Sequence, residues 1–503
     1  MKRKMRGIAL VLGLALLGSN AQAITIDTKV IESFISKENQ EATMNAEEAK
    51  VLLEATLGRP ITNEKLLSLQ KEGLTRGTFT QMLVDALRYE DLAKKLELRP
   101  SSFIDVKTNK GTIQLVKELG LMKGYEDQTF RPDQVMTKQE VISVLKAMEQ
   151  KLQPPIQGIH SHYAIQSNSQ MELIKNCTQV SFGWAEVRYD EKQGIVVATK
   201  NNPSGFNKPT GFEEPLNFSK ANGVETYIMF YLEDKALTQG PLAGKNLAKS
   251  LFEESTARQA VIENIVQQAK DFDGVTIDFE NFRSSDLKLG FNTFLGELKA
   301  ALVAQQKKLN VAVPPNLYYK GYDYKTIGSL ADHVILMAHD YEAKSLTKEE
   351  MLSGFTITPI TPLSSVYETL KEITHPETGI TDTSKIMLQF SFGSSQWQVQ
   401  DNVILNQRPY NPTYDKIFNR LQKEGTESFY SEIYHNPYAT YWDGTTKNVI
   451  WYENSESIQA KIDLAKLLGI NSISLWRLGI IPDYQGTTSQ EIDLDVVSSL
   501  KLN

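Results

Sequence analysis

The segment Asp271 to Asn281, DFDGVTIDFEN, gathers carboxylates at a spacing that could move protons. Written as a β-strand, its side chains alternate between two faces. Thr276, Asp278 and Glu280 then point one way, and Val275, Ile277 and Phe279 point the other. In a barrel wall the apolar set would face surrounding helices and the polar set the interior, near the strand's C-terminal end, where barrel enzymes keep their chemistry. Two carboxyls buried together there are coupled, one ionised and the other held protonated as an acid. A solvated edge strand is the plainer reading. Gly274 at the strand entry, a helical stretch before it and unbroken alternation favour the barrel wall.

Other residues could carry chemistry with less support. His160 and His162 sit two apart on one predicted strand face, as metal ligands can, but no third ligand has convincing spacing, so structural histidines are the better account. Trp184 and Tyr163 could stack on sugar rings or fill a core; the sequence favours neither. No glycine-rich phosphate loop and no Gly-x-Ser-x-Gly elbow occurs, which argues against nucleotide and serine-hydrolase chemistry. No metal or organic cofactor is implied. The single cysteine, Cys177, has no partner for a disulfide and lies in an apolar stretch, as a buried thiol does.

The elements that must position these residues form a series. Strands are predicted near 158–165, 179–184, 225–231, 274–279, 310–313, 333–338, 385–391 and 472–476, with helices between several, clearly at 256–270, 291–307 and 457–468. Eight strands alternating with helices over some 330 residues predict an α/β fold, a (β/α)8 TIM barrel with insertions across 158–503. A doubly wound sheet shares the alternation, and the strand count favours the barrel. The insertion between Asp340 and Lys385 has no readable fold. The one from Gln396 to Lys447 offers Tyr410, Tyr414, Tyr430, Tyr434, Tyr438, Tyr441 and Trp442 as sugar-stacking candidates.

Ahead of the barrel, 24–152 reads as a small all-α region, with apolar positions three and four apart in 49–57 and 79–87. Its clearest unit is 103–148, two helices bracketing the turn GYEDQTFRPDQ, with Thr137 placed to cap the second helix and Glu140 three residues on. Gln153-Pro154-Pro155 opens a linker at 153–157. At the start, Lys2, Arg3, Lys4 and Arg6 precede an apolar run from Ile8 to Leu17 and then Ala21-Gln22-Ala23, the pattern of a signal peptide over 1–23. That run is half of what a membrane span requires, and no later stretch is long and apolar enough. An N-terminal anchor helix is the alternative. Removing 1–23, with four basic and no acidic residues, takes the net charge from −7 to −11. Such an acidic exported chain is a poor candidate for nucleic acid or anionic membranes.

The motifs, taken in order, resemble those of glycoside hydrolase family 18. Asp273, Asp278 and Glu280 match the first, third and last acids of the DGxDxDxE signature, with Thr276 in place of the second aspartate. ADHVILMAHDYE resembles the family's Met-x-Tyr-Asp motif, keeping Met337 and Asp340 and putting His339 where the tyrosine stands; SISLWRLG places Trp476 at the floor tryptophan. The resemblance spans about 158–490. It implies retaining, substrate-assisted cleavage of β-1,4 bonds after N-acetylglucosamine in cell-wall glycan or chitin. Glu280 would be the acid and Asp278 the group that orients the substrate's acetamide, with Asp273 and Thr276 supporting them. Asp340, His339, Met337, Trp476, Trp184 and Tyr163 would contact substrate. Thr276 is familiar from the branch resembling spore-cortex N-acetylglucosaminidases. The unit at 103–148 resembles an S-layer homology module, its TRAE signature reading Thr137-Lys138-Gln139-Glu140, and LTRGTFTQMLVDAL from Leu74 looks like a worn earlier copy. These modules imply attachment to a secondary cell-wall polymer and a bacterial cell-surface location, although they could simply pack on the enzyme. A non-catalytic glycan-binding protein on the same barrel is the alternative function.

Overall fold

The computed structural model describes residues 41–58, 60–61, 73–484 and 493–502. The expected signal peptide lies outside the described residues. Eight strands form the centre: β1 (Gly158–Tyr163), β2 (Gln179–Asp190), β3 (Glu225–Glu233), β4 (Gly274–Glu280), β5 (Lys308–Val313), β6 (His333–Leu336), β7 (Ile386–Ser391) and β8 (Ser472–Trp476). Each pairs in parallel with the next, and β8 pairs with β1, so the sheet closes on itself. Closure distinguishes a barrel from a doubly wound sheet, which keeps two free edges. The fold is the expected (β/α)8 TIM barrel.

The wall of β4 illustrates how the sequence dictates the packing. Val275, Ile277 and Phe279 are fully buried against the outer helices. The helix Leu287–Val303 buries Leu287, Phe291, Phe294, Leu295, Leu298 and Leu302, which follow the three-and-four-residue spacing of one helix face, so one stripe faces the strand. Phe279 lies 5.3 Å from Phe294, ring centre to ring centre. Burying each such side chain stabilises the fold by roughly 1.5–3 kcal/mol. Cys177 is buried and free, its Sγ 3.4 Å from the Ser161 hydroxyl, and burial pushes the thiol up to about 11.

After β7 the chain leaves the barrel to build a five-stranded antiparallel sheet from 395–400, 403–404, 426–431, 436–443 and 446–451. Tyr414 is buried there, its hydroxyl accepting from the Glu453 N–H, so it is structural and not a sugar platform. The earlier insertion includes a helix, Leu363–Ile373, whose apolar face is buried.

Five helices are described before the barrel: α1 (Ala46–Leu57), α2 (Arg76–Ala86), α3 (Glu90–Glu97), α4 (Lys110–Glu118) and α5 (Lys138–Leu152). The predicted cap of α5 is present in full: Thr137 accepts from the Glu140 N–H, and the Glu140 carboxylate accepts from the Thr137 N–H. Gly124 is required by close approach, since a Cβ there would stand 2.1 Å from Phe103 Cε1 and 2.8 Å from the Thr129 carbonyl oxygen. The segment from Leu74 is tied to the unit at 103–148. Its Arg76 is buried, donates to the Phe130 and Lys123 carbonyls, and stacks over the Phe130 ring. This helical region also packs on the barrel side of the molecule. Arg99 pairs with Glu368 at 2.6 Å, Lys151 Nζ donates to the Leu467 carbonyl, and Tyr367 donates to Glu118.

Candidate active site

The alternation read in β4 delivers its polar face to the barrel interior. Thr276 is fully buried and its hydroxyl lies 2.6 Å from that of Ser181 on β2. Asp278 follows, 3 % exposed, with Oδ1 lacking any hydrogen-bond partner. Glu280 ends the strand, half-buried at the mouth. Burial drives both carboxyls upward, and Asp278 pushes Glu280 further, to about 8. At neutral pH Glu280 therefore keeps its proton, the form a general acid requires. The first residue past the strand, Asn281, has a positive φ of 69° and donates from its side chain to the Asp234 carbonyl, turning the chain away from the mouth.

Asp273 has a different place. Exposed at the strand's entry, its carboxylate accepts from the N–H and hydroxyl of Thr226, tying β3 to β4 at the end far from Glu280.

The loop after β6 brings His339 and Asp340 to the same mouth. His339 Nδ1 is 2.8 Å from Asp340 Oδ2, and His339 Nε2 is 2.8 Å from Gln389 Oε1 on β7. Burial alone would lower the His339 imidazole; Asp340 and both hydrogen bonds outweigh it, and the net shift is upward. Burial would also raise Asp340, but the His339 charge and Lys344, 2.9 Å away, hold it far below the usual carboxylate range. Both ring nitrogens of His339 are thus engaged by protein, which departs from the expectation that it contacts substrate. Asp340 is half-exposed and adopts a positive φ of 64°. Met337 packs inside the barrel with Ala312, Ile335 and Met387. Trp476, at the end of β8, lies 4.9 Å from His162 and joins Phe206, Met229, Ala164 and Tyr231 in an apolar floor. The peptide bond after it, to Arg477, is cis.

Two expected contacts fall elsewhere. Trp184 is 2 % exposed, its ring 4.3 Å from Phe182 and 6.2 Å from Phe272, in the core outside the barrel wall. A bulge between Gly183 and Ala185 interrupts the register at this point. Tyr163 is buried beside it, 5.4 Å from Phe182, and donates to Asn168. Both pack the core, the outcome their apolar neighbours permit, and neither lines the mouth.

Two interior residues, Tyr231 and Gln389, escaped the sequence reading as site groups. Tyr231 is the β3 partner of Asp278 in register, and its phenol is pushed upward by burial and by Glu280 and Asp278. The alternation in TYIMFYLE carries that signal, since Tyr227, Met229 and Tyr231 share a face. Gln389 has no motif of its own. His160 spans Ser474 at 2.8 Å and Ser181 at 2.7 Å, so a hydroxyl engages each of its ring nitrogens. His162 above it is buried with both nitrogens unpartnered, and burial lowers it to about 3.

Known proteins share the fold of this barrel. Residues 240–480, from before β4 to just past β8, match the model for glycosyl hydrolases family 18, and residues 102–142 match the S-layer homology domain. The chain is 23% identical over 246 residues to a cortical fragment-lytic enzyme of Bacillus subtilis, covering 46% of this chain and 53% of that one. Its counterpart in Bacillus anthracis is 24% identical over 249 residues, 47% of this chain and 53% of the relative. The chain spans about half the length of these curated relatives. Among solved structures, the spore cortex-lytic enzyme SleL of Bacillus cereus superposes with a TM-score of 0.53 at 17% identity, over 69% of this chain and 74% of that one. A chitinase from Chromobacterium violaceum gives 0.53 at 17%, over 69% and 98%. The barrel thus carries a glycosyl hydrolases family 18 domain over residues 240–480, and an S-layer homology domain lies ahead of it at residues 102–142.

Proposed function

We propose that the protein is a cell-surface glycosidase that cleaves the β-1,4 bond after N-acetylglucosamine with retention, using the substrate's own acetamide as nucleophile. The observation that carries this reading is the pair on β4: Asp278 buried with a free oxygen, and Glu280 at the mouth holding its proton to about pH 8. Glu280 gives that proton to the glycosidic oxygen as the bond to the anomeric carbon breaks. The electron pair of that bond stays on the departing oxygen, and the acetamide carbonyl oxygen bonds to the anomeric carbon. Asp278, ionised, faces the positive charge that develops on the acetamide nitrogen. Glu280, now a carboxylate, takes a proton from the water that opens the intermediate, which restores the acid. Trp476 offers the apolar floor for the sugar and Asp340 an acceptor at the rim, in keeping with its half-exposed side chain. The relatives named for cortical fragments favour wall glycan over chitin as the substrate.

The S-layer homology domain supports attachment to a cell-wall polymer, and its contact with the rest of the molecule, through Glu118 with Tyr367 and Lys371, would hold the active site at a set distance from that attachment. Among the described residues no helix is long and apolar enough to cross a membrane.

The test is mass spectrometry of products from chitin oligosaccharides and from purified peptidoglycan, with wild type and Glu280→Gln. Wild type should release fragments ending in N-acetylglucosamine from at least one substrate. Glu280→Gln should be slower by about 10²–10⁴-fold, the usual contribution of a general acid. Binding without cleavage by wild type would sink the proposal and favour a glycan-binding protein.

A further inference from the structure

A chain of buried hydrogen bonds crosses the barrel beneath the mouth. From His339 it runs to Gln389, from the Gln389 amide to the Ser474 hydroxyl at 3.3 Å, on to His160 at 2.8 Å, Ser181 at 2.7 Å and Thr276 at 2.6 Å. His160 is fully buried and held neutral by burial, so one of its nitrogens donates and the other accepts. One consistent arrangement has every group donating away from His339: His339 Nε2–H to the Gln389 carbonyl, the Gln389 NH2 to Ser474, Ser474 to His160 Nδ1, His160 Nε2–H to Ser181, and Ser181 to Thr276. With the other nitrogen donating to Asp340, His339 then carries two protons and a positive charge. Reversing the Gln389 amide reverses the whole series and leaves His339 neutral.

The surroundings select between the two. Asp340 meets His339 directly from the same loop, and Glu280 faces it from β4 beside Asp278; Glu233, the β3 partner of Glu280 in register, is taken up by Lys235 at 3.1 Å. Lys344, which pairs with both Asp340 and Glu342, and His162 on β1 are the opposing or neutral groups. Carboxyls dominate the faces His339 presents.

We propose that His339 serves this site as a fixed positive charge, not as a donor to the substrate, and that Gln389 is the positioning residue that keeps both its nitrogens protonated. The inference rests on the glycosidase reading above and extends it. When Glu280 surrenders its proton, a carboxylate forms in a buried site, and a preorganised cation nearby favours that state over the starting one. The same polar chain ends on β4 at the Thr276 hydroxyl, one of the neutral groups through which His339 is connected across the barrel.

The experiment is a pH titration of the full-length protein labelled with ¹⁵N-histidine. The chain has six histidines, and the His339 signals are identified by their loss in His339→Asn. Both His339 ring nitrogens should be protonated in wild type at pH 7.5. Gln389→Leu should lose one of those protons at that pH, and Gln389→Glu, which still offers an acceptor, should restore it. On the substrate that wild type cuts, Gln389→Leu should lower kcat at pH 8 by about tenfold, the worth of one hydrogen bond to a charged group, with KM within about twofold. A neutral His339 in wild type at pH 7.5, or a Gln389→Leu profile that overlays wild type, overturns the proposal. Because the titration needs no turnover, an inactive wild type with a doubly protonated His339 would overturn the glycosidase reading alone.

Discussion

Replacing Glu280 with glutamine should make the protein more stable as well as far slower, and the gain should depend on pH. Burial and Asp278 raise the Glu280 carboxyl from 4.5 to about 8. Since the folded-state value lies above the unfolded one, the folded protein holds this proton more tightly. That stabilisation is complete below pH 4.5 and is lost as pH climbs through 8. A full displacement of this size corresponds to roughly 5 kcal/mol between the two limits. The mouth is open to water and Asp278 shares the effect, so the net difference should be about 1–3 kcal/mol. Glutamine has the same shape and no proton to lose, so it escapes the penalty. Urea unfolding of wild type and Glu280→Gln at pH 5.5 and pH 9 is the assay. The midpoint advantage of the variant should widen at pH 9, with equal slopes marking an unchanged unfolded state. An equal difference at both pH values would refute the claim that Glu280 is held protonated by its surroundings.

Two further substitutions probe the scaffold. Lys461 and Glu453 form an ion pair at 2.9 Å with both side chains 1 % exposed, and Glu453 also accepts from Ser457, Asn436 and Thr361. Lys461→Met should destabilise the barrel by about 3–5 kcal/mol, because it strands a buried carboxylate, and urea unfolding at pH 7 measures this. Gly124→Ala should loosen the helical region by about 1–3 kcal/mol, since the new Cβ has no room beside Phe103; limited proteolysis should then cut the chain near 103–130 while the barrel remains intact.

The site and the barrel were legible to different degrees, for physical reasons. Alternation in β4 was enough to put Thr276, Asp278 and Glu280 on one face, because a strand's period is set by its backbone and not by its neighbours. The eight strands were legible for the same reason, each a short apolar or alternating run between breakers, and so was the cap of α5, in which Thr137 and Glu140 are three residues apart. Closure was not. It depends on β8 meeting β1, a pairing between residues more than 300 apart that no local pattern records. The fates of Trp184 and Tyr163 depended on which side of the wall each faced, and the bulge beside Trp184 makes simple alternation unreliable there. Gln389, Ser474, His160 and Ser181 come from four different strands, and each is unremarkable in its own segment. Local sequence determined which residues could do chemistry and how each strand would present them. Only the closed barrel decided that His339, beside Asp340 in the chain, also meets Gln389 on β7, because hydrogen bonds across an interior join groups whose separation in the chain carries no information about their distance in space.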